Sequence, residues 1–136
     1  MIDKNHPEQC WISLILRVSM ALLFGVAAYI KFATGLSIYA SSMATMFKDS
    51  FLPSWLVMPY INLLPFVEVL IAVWLLIGVR LRTAWIFTAF LMTTLAFGIE
   101  VNKGNPADNY IYVLIACLGI YLSKYDKCDL FTCCKK

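Results

Sequence analysis

The charged residue in the most unusual setting is Glu68, the only charged side chain between Ser50 and Val79. The whole chain is 62% hydrophobic and only 14% charged. Soluble domains carry about 25% charged residues, so this composition indicates a protein that lies in lipid. A carboxylate in hydrocarbon is unfavourable unless it is paired, protonated or directed at a polar cavity. Glu68 therefore predicts a buried polar centre inside a membrane protein.

Two cations in the first apolar run could supply the counter-charge for Glu68. Arg17 and Lys31 are 14 positions apart. That spacing is close to four helical turns, so it places them on one helix face about 21 Å apart. The partner of Glu68 then depends on where its own helix begins. A start near Trp55 favours Arg17, and a start near Pro65 favours Lys31 because Glu68 then lies at the positive end of the helix dipole.

We favour a cluster of Lys31 and Glu68 in the outer half of the membrane, with Glu100 as a further candidate member. A plainer, non-functional interpretation stays open for each of them, and it fits Glu68 least well. Lys31 and Arg17 could extend their ammonium and guanidinium groups to the lipid headgroups. Glu100 could simply mark the aqueous end of the third apolar run. The sequence assigns none of these four residues a catalytic role.

The elements that must position these residues are four apolar segments. A helix needs about 20 residues to cross the hydrocarbon core, and each segment is close to that length. Four segments cannot close a lipid-spanning barrel, so they must be helices. The sequence therefore predicts an all-α integral membrane four-helix bundle. The predicted spans are Trp11 to about Phe32, Trp55 to Val79, Thr83 to Ile99, and Asn109 to Leu122.

The long loop before the second span has its own pattern. Between residues 33 and 54, apolar side chains alternate with serines and threonines, which predicts a short helix at the membrane interface ending before Pro53. Pro59 and Pro65 then predict a kinked or irregular first third of the second span. Irregular backbone is tolerated at membrane depth where it is buried in protein or faces a polar cavity. This pattern favours a site in the outer half, although an ordinary tolerated kink explains the prolines equally well.

The basic residues outside the spans indicate the orientation. Their excess on one side predicts that both termini are cytoplasmic and that the protein lies in the cytoplasmic (inner) membrane. The first span is interpreted as a retained helix, because no small-residue cleavage site follows it closely enough for a signal peptide. The predicted organisation is a cytoplasmic segment 1–10, a transmembrane domain 11–126 and a cytoplasmic tail 127–136. The predicted cytoplasmic basic residues are Lys4, Arg80, Arg82, Lys124, Lys127, Lys135 and Lys136, and those outside are Lys31, Lys48 and Lys103.

Metal and nucleotide chemistry find little support in the sequence. His6 is the only histidine, no CxxC occurs, and the cysteine spacing in the tail is not that of a zinc site. Most of the cysteines fall on the predicted cytoplasmic side, where thiols are normally reduced. We predict no metal site and no nucleic-acid partner, and leave the role of the tail cysteines open between lipidation, weak metal binding and a solvated tail. The five cysteines are Cys10, Cys117, Cys128, Cys133 and Cys134.

Three stretches together carry a family resemblance. They are LILRVSMALLFGVAAYIKF in the first span, PFVEVLIAVWLLIGVRLRTA in the second span, and YLSKYD after the fourth. In this order they resemble the DoxX family of small four-helix membrane proteins, from about Ser13 to Asp126. The chain departs from the family in Ala28, where a glycine often stands, and in its cysteine-bearing tail.

The resemblance implies a link to membrane redox systems. Members resemble or accompany thiosulfate–quinone oxidoreductase subunits and complexes that join sulfur transfer to superoxide dismutase. A related group, similar to the methylamine-utilisation protein MauE, is tied to disulfide formation or enzyme maturation. By position, Arg17, Lys31 and Glu68 match the recurrent charged residues of the family.

Three functions stay open at the level of sequence. The first is a subunit of a quinone-linked membrane redox complex, in which any flavin, haem or metal comes from a partner. The second is a non-catalytic assembly or stability factor, and the third is a conduit for protons or a small solute. The expected surroundings are the lipid bilayer with partner membrane or redox subunits, or further copies of this chain.

Overall fold

The computed structural model describes residues 7–48, 50, 52–101, 105 and 107–124. Within these residues the helices are joined by turns and short loops, and there is no strand. The sequence-based statements about Lys4, His6, Lys103 and the tail from Lys127, with Cys128, Cys133, Cys134, Lys135 and Lys136, fall outside the described residues, as does the side chain of Cys10. The helices are α1 (Pro7–Thr34), α2 (Leu36–Met46), α3 (Ser54–Ile77), α4 (Leu81–Val101) and α5 (Ala107–Leu122).

Three of the helices are long and apolar enough to cross a membrane: Trp11–Thr34 within α1, together with α3 and α4. These correspond to three of the four predicted spans. Helix α5 is apolar but has only 16 residues, so a fourth crossing stays a prediction. Helix α2 lies where a short helix was predicted, and its position at the membrane interface likewise stays a prediction.

The ends of α3 follow from its sequence. The helix begins after Pro53 and ends at Gly78, which adopts a left-handed conformation with φ 81° and donates its backbone N–H to the carbonyl of Trp74. Glycine is favoured at such an end because it has no Cβ to oppose a positive φ. Between these ends α3 is helical through Pro59 and Pro65. The structure thus contradicts an irregular backbone in this part of α3, because packing in a bundle tolerates the hydrogen bond that each proline removes. A kink at either proline stays a prediction.

The packing of the long helices forms a closed ring. Helix α1 packs most extensively along α3, and α4 packs along α5, while α3 meets α4 and α1 meets α5. The interior of this ring holds a continuous apolar core that includes Phe24, Ile71, Leu75, Trp85 and Ala116. Helix α2 lies outside the ring against α1 and α3.

The outer faces of the same helices are also apolar. Leu22 on α1, Leu63 on α3, Phe90 on α4 and Leu114 on α5 are each 59–69% exposed. Apolar surface exposed on every long helix is far more than a water-soluble monomer carries. This arrangement, an apolar core within an apolar exterior, is that of a bundle surrounded by the lipid bilayer.

Candidate functional site

An ion pair joins α1 to α3. The ammonium group of Lys31, in the last turn of α1, contacts Oε1 of Glu68 in α3. The side chain of Glu68 is 2% exposed and that of Lys31 is 16% exposed. Burying a charge is unfavourable unless it is paired and hydrogen-bonded. The predicted pairing of Lys31 with Glu68 is therefore present in the structure.

The second oxygen of Glu68 has a different environment. Oε2 is buried and has no hydrogen-bond partner among the described residues. An unsatisfied buried carboxylate oxygen is costly, and in native proteins such a group usually serves a ligand, a water or a reaction. The pair therefore keeps one strong acceptor available inside the protein.

Arg17 does not meet Glu68 but lies at the far end of α3. Its Nε donates to the carbonyl oxygen of Leu75 at 3.1 Å, and an Nη donates to that of Leu76 at 3.3 Å. These carbonyls belong to the last turn of a helix, where no following N–H is available to them and the helix dipole is negative. The alternative in which Arg17 pairs with Glu68 is wrong, although α3 does begin near Trp55, because the cation caps the helix end instead.

Glu100 also lies apart from the ion pair. It is exposed in the last turn of α4 and accepts a hydrogen bond of 2.8 Å from the hydroxyl of Tyr110 in α5. The structure thus brings together two of the four candidate residues, Lys31 and Glu68. The other two occupy the opposite end of α3 and the exposed end of α4.

Tyr39 of α2 is a member of the site that sequence reasoning missed. The ammonium nitrogen of Lys31 lies 5.5 Å from the centre of its ring, within the range of a cation–π contact. Its hydroxyl is buried and has no partner among the described residues. Burial raises the pKa of Tyr39 to about 12, and the charge of Glu68 and the nearby Tyr60 add to the shift. The sequence showed Tyr39 only as one apolar member of an amphipathic pattern, because a contact between α2 and the pair is visible only in the fold.

A cavity of about 420 Å³ opens beside Tyr39, enclosed by α2, α3 and α4. This size lies within the range of pockets that hold small molecules, about 300–1,000 Å³. Its walls are mainly apolar, including Met43, Phe47 and Leu64. The cavity thus lies directly against Tyr39, whose ring contacts the ammonium group of Lys31.

Two hydroxyl groups on the α3 and α4 walls are linked to each other. The hydroxyls of Tyr60 and Thr94 lie 2.9 Å apart, and Thr94 donates its hydrogen to the carbonyl of Leu91 at 2.8 Å. Either hydroxyl can be the donor between them, and when Thr94 gives its one hydrogen to Leu91, Tyr60 donates to Thr94. The phenol oxygen of Tyr60 keeps its lone pairs and can accept a further hydrogen bond.

Metal ligands do not assemble in the part of the chain that the structure describes. No three side chains of His, Cys, Asp or Glu lie together there in a way that could hold an ion. Cys117, on α5, is exposed and not in a disulfide. The prediction that the protein binds no metal remains a prediction for the whole chain.

Comparison with known protein families identifies a relationship over most of the chain. A family model described as methylamine utilisation protein MauE matches residues 9–108. Neither the curated proteins nor the solved structures include a match to this chain. The matched family is a multi-pass membrane family related to the DoxX-like small membrane proteins. The match covers Arg17, Lys31, Glu68 and Glu100, and membership of the DoxX family stays a prediction.

Proposed function

The chain belongs to the MauE family of membrane proteins, and we propose that it is the membrane component of a redox system that serves or matures a partner enzyme. In this proposal the pair of Lys31 and Glu68 is the centre at which the chain handles protons for a quinone. The observation that carries the proposal is the buried Glu68 carboxylate, paired through Oε1 and unsatisfied at Oε2. Such a group can accept a proton or hold a polar ligand, whereas a purely structural ion pair has no need of a spare acceptor.

The residues near the pair fit a quinone. An apolar cavity with a few polar groups is what a lipid-soluble ring compound requires, and the cavity beside Tyr39 has this character. When bound, a quinone supplies chemistry in which two electrons and two protons are taken up together. Lys31 can stabilise negative charge that develops nearby, and Glu68 can give or accept a proton at Oε2.

Electrons enter from a partner in this proposal. A thiol pair or another reductant on the partner enzyme is oxidised, and any flavin, haem or metal belongs to that partner as well. The family description, methylamine utilisation protein MauE, supports a role alongside an enzyme. Whether the partner is a permanent subunit or an enzyme undergoing maturation decides between the two forms of this function.

The proposed location is the cytoplasmic membrane, with both termini in the cytoplasm and α5 as a fourth crossing. The distribution of lysine and arginine supports this orientation, because cytoplasmic ends of membrane helices are enriched in these residues. In this arrangement Lys31 and α2 lie toward the outer side, and Arg17 lies toward the cytoplasmic side. The ion pair would then be closer to the compartment in which disulfides form.

A non-catalytic assembly factor is the second candidate. It is favoured by the fact that Lys31 and Glu68 join two helices of this same chain, as a structural ion pair would. In that case the pair holds the shape of a surface on which a partner helix packs. Neither quinone nor proton transfer would then be needed.

The deciding experiment is purification of the tagged protein in mild detergent, with mass spectrometry of bound proteins and analysis of extracted quinones. Wild type is compared with Glu68→Gln and with the control Glu100→Gln, which changes an exposed carboxylate outside the site. We expect quinone in wild type and in the control but not in Glu68→Gln. Preparations that retain a partner enzyme but contain no quinone in any form would favour the assembly factor and overturn the redox proposal.

A further inference from the structure

We propose that the cavity between α2, α3 and α4 is the binding site for the ring of a quinone and its quinol, held between the phenol groups of Tyr39 and Tyr60. This inference rests on the proposed function and names the place where its ligand binds. The ion pair of Lys31 and Glu68 then acts on the ring from behind Tyr39. Neither the family description nor the sequence pattern points to this cavity.

The shape and lining of the cavity favour a ring with an apolar tail. Three helices enclose about 420 Å³, and the walls carry flexible or aromatic apolar side chains such as Met43, Met46 and Phe47. Methionine and phenylalanine adapt well to a flat ring, since methionine is flexible and both make favourable contacts with aromatic faces. The exposed faces of α3 and α4 are in contact with lipid, so an apolar tail can extend from the cavity into the bilayer.

The polar groups of the cavity suit both redox forms of the same ring. Tyr39 has a buried hydroxyl without a partner among the described residues, and it can donate to a quinone carbonyl. The phenol oxygen of Tyr60 has two lone pairs, so beside its hydrogen bond with Thr94 it can accept from a quinol hydroxyl. A site with one free donor and one free acceptor can hold the carbonyl form and the hydroxyl form in turn.

The charged pair lies one side chain beyond the cavity. Lys31 contacts the ring of Tyr39 on one side and the carboxylate of Glu68 on the other. A ring bound at Tyr39 would therefore lie close to a cation that favours negative charge on it. This order, with the cavity first, then Tyr39, then Lys31 and Glu68, gives a role to the buried carboxylate with a spare oxygen.

Gly98 provides a way to fill the cavity without touching the ion pair. It lines the cavity, and a Cβ added there would meet only Cζ of Phe47 at 3.6 Å, an ordinary contact. Gly98→Leu should therefore occupy the cavity with little strain. Gly25→Leu is the matched control, because a Cβ at Gly25 in α1 has nothing within 4 Å and Gly25 lies outside the cavity.

The test is equilibrium binding of decylubiquinone and its quinol to the purified full chain in lipid nanodiscs. We expect both forms to bind wild type and Gly25→Leu equally, and Gly98→Leu to bind at least about tenfold more weakly. Tyr39→Phe should weaken binding of the quinone by about two- to tenfold, the usual range for one lost hydrogen bond. Thermal melting of each variant shows that it is folded, and Tyr39→Phe provides a second test should Gly98→Leu not fold.

The possible results separate the two proposals. Binding that is unchanged in both Gly98→Leu and Tyr39→Phe would overturn the cavity as the site and leave the redox function standing. Failure of wild type to bind either form would overturn the quinone function itself. Equal weakening in Gly25→Leu and Gly98→Leu would show a general packing effect and would also overturn the inference.

Discussion

Arg17 and Gly78 share one space at the end of α3: a Cβ on residue 78 would overlap the guanidinium group of Arg17. The arginine can reach the last carbonyls of α3 only because residue 78 has no side chain. The left-handed conformation of Gly78, with φ 81°, disfavours residues with a Cβ for a second reason. A cation from one helix and a glycine from another therefore form a single cap for α3.

The first prediction concerns this cap. Gly78→Ala should lower the free energy of unfolding by about 2 kcal/mol or more, because it adds left-handed strain to a clash with a buried cation. Gly25→Ala is the matched control, since its new methyl meets no atom within 4 Å. In a helix interior that change should stabilise by about 0.5–1 kcal/mol. Unfolding midpoints in detergent measure both, and similar midpoints for the two variants would contradict the prediction.

The second prediction concerns the ion pair. Glu68→Leu leaves Lys31 largely buried without its partner, and breaking a buried pair in this way costs about 3–5 kcal/mol. The double variant Lys31→Met with Glu68→Leu removes both charges and should recover most of that loss. Thermal unfolding of wild type, both single variants and the double variant measures the coupling. Additive losses, with no recovery in the double variant, would show that the two charges do not depend on each other.

The third prediction concerns the contact of α4 with α5. Gly119 lies against the indole ring of Trp85, and a Cβ there would overlap the ring. Trp85 is fully buried, so it cannot move aside, and Gly119→Ala should destabilise by about 1–3 kcal/mol. Gly98→Ala, with its ordinary contact to Phe47, should be tolerated. Equal stability of the two variants would mean that Trp85 does not fill the space beside Gly119.

The fourth prediction concerns the titration of Tyr39. Since burial raises its pKa from 10.0 to about 12, the folded state favours the neutral phenol. The resulting stabilisation is complete below pH 10 and disappears as the pH rises through about 12. Difference absorbance between wild type and Tyr39→Phe should show one phenolate forming near pH 12. Glu68→Gln should lower that pKa because it removes a negative charge, and a titration unaffected by Glu68→Gln would contradict the closeness of the two groups.

The sequence predicts the membrane helices from their apolar composition, and it predicts the ion pair from the one carboxylate within that apolar surrounding. A single carboxylate in a long uncharged run needs a cation, and Lys31 is one of two within reach. The start of α3 did not identify which cation pairs with Glu68. The helix starts at Ser54, which favoured Arg17, and Glu68 nevertheless pairs with Lys31. The side-chain reach of Lys31 and the packing of α1 on α3 decide the outcome, and neither is encoded in a local pattern.

Other parts of the site depend on contacts between distant segments. The partners of Arg17 are backbone carbonyls, which carry no residue-specific signal. Tyr39 and Thr94 are distant in the sequence and line one cavity only after α2, α3 and α4 have packed. Glu100 is a carboxylate like Glu68, but it lies at the exposed end of its helix and accepts a hydrogen bond from Tyr110.

Helix α1 is bonded to α3 at two places, through Arg17 and through Lys31, and this has a mechanical consequence. Arg17 and Lys31 hold these helices together at two separate levels, so the pair should move as one stiff half. Helices α4 and α5 form the other half, because the indole ring of Trp85 packs closely against Gly119. The seam between the halves runs along α3 and α4, where the cavity lies and the hydrogen bond of Tyr60 with Thr94 crosses. The halves also meet where α1 contacts α5. We expect any widening of the cavity to occur by movement between the halves, while both contacts of α1 with α3 stay intact.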